Sequence, residues 1–409
     1  KQQPRLRSSQ AFHYARLVGG MLADVCIIGA GLAGVTAAQR LTASNCTCVI
    51  LEAADRVGGR LRSADFAGRR VEEGANWVHG LSGQNPIWER ATKIQLAGRR
   101  EFEDGTSPHV AVRRGRQDCS PDAVRTFEAF DAALKIVEGD EESDRFPDAD
   151  ADVATALAKA GWASETPVDM AVEYFRHDFE YGEAPAATSV HHNVHEEFLG
   201  DDFGEGGYFV DDPRGFAAIC GDVPAGVACH LNSAVTSIQY SGHSGPPAEG
   251  TPRAAGPQAD QAPVRVRCRD GREVVARAVL STVSVGVLNA GNIQFEPPLP
   301  PEKVRALGSM RMCNYTKVFL EFEEPFWTDE AYILHAGAQR GRYVVWQPLA
   351  RSNVIMVTAT GDEGRRVELL SDGEVLREAV EALGEMYADP PRPVGIRVCR
   401  WTSDPGFLG

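Results

Sequence analysis

The sequence predicts two interleaved domains, one of the α/β class and one of the α+β class. Near the beginning of the chain a strand, a glycine-rich turn, a helix and a second strand follow one another, in the order of a parallel βαβ unit. Short alternating strands occupy a later region, from Gly206 to Leu288, and indicate antiparallel pairing there. The length of 409 residues also favours two domains, since single cores rarely grow beyond about 300 residues.

The βαβ unit begins with the apolar strand Val25–Ile28. The turn Gly29–Gly34 follows, and an alanine-rich helical run continues to Leu41. The second strand, Cys48–Leu51, ends in Glu52, an acid placed to accept hydrogen bonds from ribose hydroxyls. Strand, turn, helix, strand and acid in this order predict a Rossmann-like nucleotide site, with an ordinary glycine-rich turn as the weaker alternative.

Each glycine of the turn has a separate task in such a site. Gly29 permits the tight turn, Gly31 lets the backbone approach a pyrophosphate, and Gly34 lets the helix and the strand lie close together. The helix N-terminus offers free N–H groups and the positive end of its dipole to the phosphates. Leu32 and Ala33 belong to this first helical turn and are therefore predicted cofactor contacts.

A second glycine turn indicates which nucleotide is bound. Gly58 and Gly59 allow backbone to lie beside a ligand, and Arg60 is a planar cation suited to a diphosphate. The segment Glu73–Gly80 follows closely. Domains that bind NAD do not need these additions.

These segments resemble the FAD-binding signature of the flavin-containing amine oxidases. The resemblance extends over about residues 22 to 409 and is strongest to polyamine oxidases of the plant and algal type. It rests on further motifs in family order: Asn85–Trp88, Asp178–Tyr181, Tyr208–Val210, Gln294–Pro297 and Asn314–Lys317. It implies FAD as a non-covalent cofactor and adds the contact residues Gly74, Ala75, Asn76, Trp77 and Val235. For Val235 a plain core strand is the alternative.

The predicted FAD-binding domain comprises residues 22–95 and 206–297. The predicted substrate domain comprises residues 96–205 and 298–409 and is built on a mixed or antiparallel sheet flanked by helices. Residues 1–21 are a basic N-terminal segment that is predicted to be disordered. Its composition resembles that of an organelle transit peptide, and vector-derived or mis-assigned upstream sequence is the alternative. The stretch 241–262 lacks large apolar residues and predicts a disordered insert. Family members continue for several tens of residues beyond a segment like Arg400–Asp404, so the resemblance also predicts a C-terminally truncated chain.

Composition limits the partners. The net charge of −15 disfavours nucleic acid and anionic membranes and favours cationic ligands. The apolar stretch Val25–Ala38 is too short to span a bilayer. Nine cysteines without a C-x-x-C pair indicate reduced thiols in an intracellular protein, cytoplasmic or peroxisomal, and we expect a monomer.

Lys317 is the leading catalytic candidate, because a lysine inside an apolar strand is unusual. An edge-strand lysine facing water is the alternative from the residues alone. The resemblance implies a lysine bonded through a water to flavin N5. Tyr315 projects from the same strand face, and in the family this aromatic helps to enclose an aliphatic amine.

Glu180 and Tyr181 are further candidates. The resemblance implies an acid that lines the substrate tunnel and contacts an amine nitrogen, with an aromatic beside it. A polyamine carries charges several carbons apart, which an acidic tunnel would attract. The alternative is that Glu180 shares a solvated acidic face with Asp178 and Glu183.

His79 stands where plant enzymes of terminal catabolism carry glutamate and animal spermine or acetylpolyamine oxidases carry histidine. A neutral imidazole could bind the amine or help to deprotonate it, because its pKa falls near the working pH. A structural loop histidine is the alternative. The histidine favours back-conversion of spermine to spermidine over terminal catabolism.

No metal is expected. His191 and His195 are spaced i, i+4, but no third ligand follows at the spacing of a zinc site. The acidic run Glu138–Asp152 is most simply a solvated loop.

The predicted activity is FAD-dependent oxidation of polyamines (spermine, spermidine or acetylated forms) at a secondary amine. The imine is hydrolysed to an amine and an aldehyde, and O2 is reduced to H2O2. A monoamine oxidase or an L-amino-acid oxidase is an alternative, although no arginine can be placed for an amino-acid carboxylate. A weakly active or inactive FAD-binding pseudoenzyme is the non-catalytic alternative.

Overall fold

The computed structural model describes residues 21–101, 110–139, 151–191, 203–204, 206–240, 263–327 and 330–408. The basic segment 1–20, the insert 241–262, most of the acidic run and His195 of the histidine pair lie outside the described residues.

The helices of the described residues are short to medium in length and in chain order are α1 (Leu32–Ala43), α2 (Pro86–Lys93), α3 (Ser120–Gly139), α4 (Val153–Lys159), α5 (Pro167–Glu173), α6 (Phe179–Tyr181), α7 (Val285–Asn289), α8 (Pro301–Ser309), α9 (Gly361–Leu369) and α10 (Asp372–Met386). A π-helix, Tyr174–Asp178, joins α5 to α6, and 3-10 turns span Pro185–Ala187 and Phe216–Cys220.

The strands of the same residues are β1 (Met21–Ile28), β2 (Cys48–Leu51), β3 (Ser63–Phe66), β4 (Arg69–Glu72), β5 (Trp77–His79), β6 (Gly98–Glu101), β7 (Val110–Arg114), β8 (Gln117–Asp118), β9 (Gly207–Val210), β10 (Ala228–His230), β11 (Val235–Gln239), β12 (Val264–Cys268), β13 (Glu273–Ser281), β14 (Gln294–Glu296), β15 (Tyr315–Glu321), β16 (Tyr332–His335), β17 (Val345–Pro348), β18 (Val354–Thr360) and β19 (Gly395–Val398).

The chain divides into two compact units, each assembled from separated stretches. Unit 1 comprises the described residues of Lys1–Ser63, Arg214–Met312 and Pro405–Leu408, and unit 2 those of Ala64–Pro213 and Cys313–Asp404. The boundaries drawn from the sequence differ, since they assign 64–95 to the first domain. In the structure β5, at Trp77–His79, pairs with β9, which lies in unit 2. The two binding functions assigned to these units remain proposals.

Unit 1 is built on a seven-stranded sheet with the order β10-β2-β1-β13-β12-β11-β14. Its centre is parallel, with β1 between β2 and β13, while β12 runs antiparallel to both β13 and β11. Central strands of a parallel sheet are covered on both faces, which explains the uninterrupted apolar runs Val25–Ile28 of β1 and Cys48–Leu51 of β2. The predicted βαβ unit and the antiparallel β11–β12 pair are both present.

The predicted region of short strands, Gly206 to Leu288, is wrong in its extent. Its last strand, β13, ends at Ser281, and Val285–Asn289 is the helix α7. The reason is a local cap: the Ser284 side chain accepts a hydrogen bond from the backbone N–H of Val287 at 3.3 Å. Such a cap favours a helix start over a continued strand.

Unit 2 is built on a mixed seven-stranded sheet with the order β19-β15-β18-β17-β16-β7-β8, in which only the pair β16–β7 of the described strands is parallel. Val318 and Leu320 of β15 join a core with α9 and α10 on one face. Lys317 and Phe319 therefore point to the other face, because side chains alternate along a strand. This is the predicted mixed sheet flanked by helices, and the predicted fold class is confirmed.

Candidate active site

The first glycine turn lies in unit 1, directly after β1. Gly29 has a φ of +103°, a conformation that side chains rarely adopt. A Cβ placed on Gly34 would lie 1.9 Å from the carbonyl oxygen of Gly29, so α1 approaches the turn as closely as glycine allows. Both glycines therefore have the geometric roles that the sequence predicted.

The N-terminus of α1 has no side-chain cap. Gly31 is its N-cap residue, and the first hydrogen bond to Gly31 O is donated by Val35 N. The backbone N–H groups of Leu32, Ala33 and Gly34 precede that bond, and the first N–H groups of an α-helix have no acceptor within the helix. The N-terminus of a helix favours anions such as phosphates, in agreement with the predicted role of these residues.

The second glycine turn is joined to the first. Gly58 N donates to the carbonyl oxygen of Ala30 at 3.0 Å, and Gly31 and Gly58 form an isolated parallel bridge. A Cβ on Gly59 would lie 3.1 Å from Gly31 Cα, closer than ordinary contact, so the close approach of the two turns favours glycine at position 59. The two turns thus form one backbone surface without side chains.

The Arg56 side chain stabilises the second glycine turn, a role that the sequence pattern did not predict. Its Nη2 donates to Gly59 O at 2.8 Å and its Nη1 to Leu61 O at 3.3 Å. Arg60, the predicted diphosphate contact, is exposed and remains a prediction. A sequence signal for this role was available, because Arg56 lies two residues before the glycine pair and its side chain can reach the carbonyl groups of the turn.

Glu52 is buried beside the first turn, with 8% of its surface exposed. Its Oε2 accepts from the backbone N–H of Ala30 at 2.5 Å and its Oε1 from that of Ala54 at 2.8 Å. A carboxylate oxygen has a further lone pair, so this orientation leaves acceptor capacity for a ligand hydroxyl. Val235 lies in the core of the same unit with Ile28 and Val266.

Lys317 lies in unit 2 and is 1% exposed. Its Nζ donates to Gly74 O at 2.6 Å, Asn76 Oδ1 at 2.8 Å and Glu72 O at 3.1 Å, and lies 5.2 Å from the centre of the Trp77 ring. Because β15 lies between β18 and β19, the alternative of an edge-strand lysine facing water is wrong. The three acceptors use all three N–H bonds of the charged ammonium.

Burial lowers the pKa of Lys317 to about 8, against smaller opposing effects of Cys399, Glu72 and Glu73. The amine is therefore partly neutral in mildly alkaline solution, where it gains a lone pair and gives up one donor.

An aromatic cluster borders Lys317 and consists of Trp77, Phe175, Phe179, Tyr315 and Tyr332. Phe179 is its centre, with ring centroids 6.0 Å from Trp77, 5.6 Å from Tyr315 and 5.9 Å from Tyr332. Burial raises the pKa of the Tyr315 hydroxyl well above its usual value, and Tyr332 and Glu180 raise it further. The cluster therefore joins two predicted site residues, Trp77 and Tyr315, through Phe179, the residue before Glu180.

Glu101 anchors two of these rings, and the sequence analysis did not identify it. Its Oε2 accepts from Trp77 Nε1 at 3.0 Å and from the Tyr332 hydroxyl at 3.2 Å, while Arg99 Nε donates to Oε1 at 3.0 Å. This anchor depends on contacts distant in the sequence, and no local pattern predicts it.

Glu180 differs from the acids on either side of it. Asp178 and Glu183 are 3% and 6% exposed and pair with Arg340 and Arg365. Glu180 is exposed. The alternative of one solvated acidic face is therefore wrong. The neighbouring Tyr181 ring lies 4.7 Å from that of the buried His177.

His79 is the last residue of β5 and its side chain is exposed. It shares a strand face with Trp77, two residues earlier, and its backbone carbonyl accepts from Asn85 Nδ2 at 2.8 Å. Ala75, between the Lys317 acceptors Gly74 and Asn76, is also exposed. Among the described residues no group of three or more His, Cys, Asp or Glu side chains could hold a metal ion.

Comparison with known proteins decides the family. Residues 32–409 match the model of the flavin-containing amine oxidoreductases. The chain belongs to this family. Among curated relatives, polyamine oxidase 1 of Zea mays is 33% identical, with 94% of this chain and 79% of the relative covered. Polyamine oxidase 7 of Oryza sativa subsp. japonica is 32% identical, with 94% and 83% covered.

The fold of this flavin-containing amine oxidoreductase is also similar to solved structures. A putrescine oxidase bound to putrescine superimposes with a TM-score of 0.68 at 17% identity, covering 95% of this chain and 87% of that one. No helix in the described residues is long and apolar enough to cross a membrane.

The cofactor of this flavin-containing amine oxidoreductase is FAD. The residues of unit 1 fit a dinucleotide: the facing Gly31 and Gly59 leave backbone uncovered where a Cβ would intrude, and the α1 N-terminus lacks a side-chain cap. Those groups would hold the pyrophosphate, and Glu52 the ribose.

Replacing Glu52 by alanine is expected to reduce the FAD content of the purified protein severalfold. The change removes the acceptor of the Ala30 and Ala54 amides together with the acceptor proposed for the ribose. Absorbance of bound flavin per polypeptide measures the effect, with Glu302→Ala on α8 as the control acid in the same unit. Unchanged FAD content in Glu52→Ala would contradict the proposed contact.

Proposed function

We propose that this enzyme oxidises polyamines such as spermine and spermidine at a secondary amine. The observation that carries the proposal is the aromatic cluster of Trp77, Phe179 and Tyr315, with the exposed Glu180 directly after Phe179 in the chain and Lys317 on the same strand as Tyr315. The two cereal relatives named above are polyamine oxidases, which supports the same substrate class.

The cluster suits an aliphatic polycation. Aromatic walls bury methylene groups and attract cations through their π faces. An exposed carboxylate next to them attracts an ammonium several carbons from the reacting nitrogen, which sets the register of a long amine. We propose that Phe179, Tyr315 and Tyr181 line the amine and that Glu180 holds its charged end.

Bound FAD would supply the oxidising chemistry: a hydride equivalent from the carbon beside the amine nitrogen would go to the flavin, and O2 would take up the electrons. The chain's residues must present a neutral amine to the flavin. We propose that the exposed imidazole of His79 accepts the amine proton, since a neutral imidazole has an unprotonated ring nitrogen that can act as a general base. In this proposal His79 favours back-conversion of spermine over terminal catabolism.

The state of the nine cysteines supports a proposal for the cellular compartment of the protein. None of the nine, which all lie in the described residues, forms a disulfide, and six are buried, which suits a reducing intracellular environment such as the cytoplasm or the peroxisome. The expected monomer stays a prediction.

The purified protein is expected to show the absorption bands of oxidised flavin and to release H2O2 with spermine, spermidine or N1-acetylspermine. Benzylamine and L-leucine serve as substrates for the monoamine and amino-acid alternatives. Peroxide release with benzylamine or L-leucine and none with the polyamines would overturn the substrate assignment. Bound flavin that no amine reduces would favour a pseudoenzyme.

A further inference from the structure

The segment that carries Phe179, Glu180 and Tyr181 is preceded by a break in helix geometry. α5 ends at Glu173, and Tyr174–Asp178 forms a π-helix, in which the N–H of Phe179 donates to the carbonyl of Tyr174 five residues earlier. Such turns contain one residue more than an α-helical turn and are rare. This one lies immediately before the predicted substrate contacts.

The π-helix brings together two acids that an α-helix would separate. Glu173 and Asp178 are five residues apart, and in an α-helix such residues point about 140° away from each other. With i→i+5 bonding they complete one turn and point to similar sides. Both are buried, with 8% and 3% of their surfaces exposed.

A single arginine binds both acids. Arg340 Nη1 and Nη2 donate to Asp178 Oδ1 and Oδ2 at 2.9 and 2.7 Å. Its Nε and Nη2 donate to Glu173 Oε1 at 3.0 and 2.8 Å. Trp162 Nε1 donates to the remaining Glu173 oxygen at 2.7 Å, so the carboxylates are satisfied only while they lie side by side.

The register of the following residues depends on this arrangement. Removing the extra residue of the π turn would rotate everything after it by about 100° around the helix axis. Phe179 would then leave its contacts with Trp77 and Tyr315, and Glu180 would point elsewhere. Gly182, with a φ of +73°, ends the segment directly afterwards, so little chain is available to correct the error.

We propose that Arg340 is a positioning residue which selects the π-helical register of Tyr174–Asp178 and thereby aims Phe179 and Glu180 at the substrate. The assignment of these two residues to the substrate rests on the proposed function. Burial raises the pKa of Asp178 to about 6 while Arg340 opposes the rise, in agreement with a desolvated carboxylate that depends on its partner.

The test compares variants in which Arg340 no longer pairs with both Glu173 and Asp178 with a control at another arginine that bridges two acids. Arg340→Lys keeps a positive charge but cannot engage both carboxylates in two parallel pairs. A triple variant, Glu173→Gln with Asp178→Asn and Arg340→Met, removes all three charges and so avoids leaving buried carboxylates unpaired. Arg366→Met is the matched control, because Arg366 also bridges two acids, Glu363 and Glu378, on α9 and α10.

Arg340→Lys and the triple variant are expected to retain FAD within about twofold and to lose about tenfold or more in kcat/KM for spermine, with a changed ratio of spermine to spermidine. Hydrogen exchange of the 174–182 amides should accelerate in both variants. The control Arg366→Met should keep the parent's FAD content, kcat/KM, substrate ratio and hydrogen-exchange rates in 174–182. A purely structural role would lower stability and FAD content without changing the substrate ratio.

Parent-like kcat/KM and substrate ratio in Arg340→Lys and the triple variant, or unchanged exchange in 174–182, would overturn the proposal. If the parent protein itself oxidises no polyamine, the proposed function fails instead. The exchange measurement still decides whether Arg340 maintains the π turn, because it needs no substrate.

Discussion

Replacing Lys317 by methionine is expected to slow reduction or reoxidation of the flavin by about tenfold or more while FAD stays bound. Methionine preserves the length of the side chain and removes the ammonium. The carbonyls of Glu72 and Gly74 and the Oδ1 of Asn76 would lose their donor, and the neighbouring Trp77 would lose its cation. Buried acceptors without partners are costly, so the backbone around Gly74 and Asn76 would shift.

Anaerobic stopped-flow reduction by spermine and reoxidation by O2 measure the two half-reactions separately. Lys303→Met, on the exposed surface of α8, is the control for loss of a lysine. Rates equal to the parent in both half-reactions would exclude a role for Lys317 in the reaction.

Lys317 should also leave a signature in stability. Its folded pKa of about 8 lies below the usual value of 10.5, so between these pH values the unfolded chain binds the proton more tightly than the folded one. The Lys317 contribution to the free energy of unfolding therefore rises with pH from 8 to 10.5 and is least favourable below pH 8. Relative to Lys317→Met, the parent should gain about 2 kcal/mol between pH 8 and 9.5, measured by urea unfolding. A pH-independent difference would contradict the lowered pKa.

Gly34→Ala is expected to reduce FAD content to less than about a tenth of the parent. The added methyl group would lie 1.9 Å from the carbonyl oxygen of Gly29, and the obstacle is backbone, so α1 must move by about 1 Å or more. That movement displaces the open N–H groups of the first helical turn. Overpacking of this kind also costs about 1–3 kcal/mol of stability.

Gly384→Ala is the matched control, since Gly384 is also helical but has open space where its Cβ would lie. We expect that change to preserve FAD content and to stabilise the chain by about 0.5–1 kcal/mol. Flavin absorbance and urea unfolding report both quantities. A Gly34→Ala protein with full FAD content would show that α1 tolerates the displacement.

The part of the fold set by local contacts could be predicted from the sequence. Gly29, Gly34 and Glu52 lie within one βαβ unit, so turn chemistry and spacing were enough to predict the tight glycine turn and the acid beside it. The strand of Lys317 was equally recognisable, although its burial depends on β18 and β19 on either side and could not be decided from the residues alone.

The rest depends on partners distant in the sequence. The residues Val168–Phe179 carry an ordinary helical pattern, and the π turn within them follows from Arg340, which lies 162 residues beyond Asp178. The two rings held by Glu101 depend in the same way on β6. A pattern of apolar periodicity contains no information about such polar contacts between distant residues. The π turn and the anchoring of the two rings therefore could not be predicted from the sequence.

The order of the strands has a consequence for synthesis of the chain on the ribosome. In unit 1, β1 pairs with β13, so the centre of the sheet can form only after Val274, the partner of Met21, has been synthesised. In unit 2, β7 pairs with β16, so Val110 can pair only after Tyr332 has been synthesised. Closing loops of this length is entropically costly and slow. Neither sheet can be completed by a nascent chain that has emerged only halfway, so the apolar strands translated first need protection from aggregation until the later half arrives.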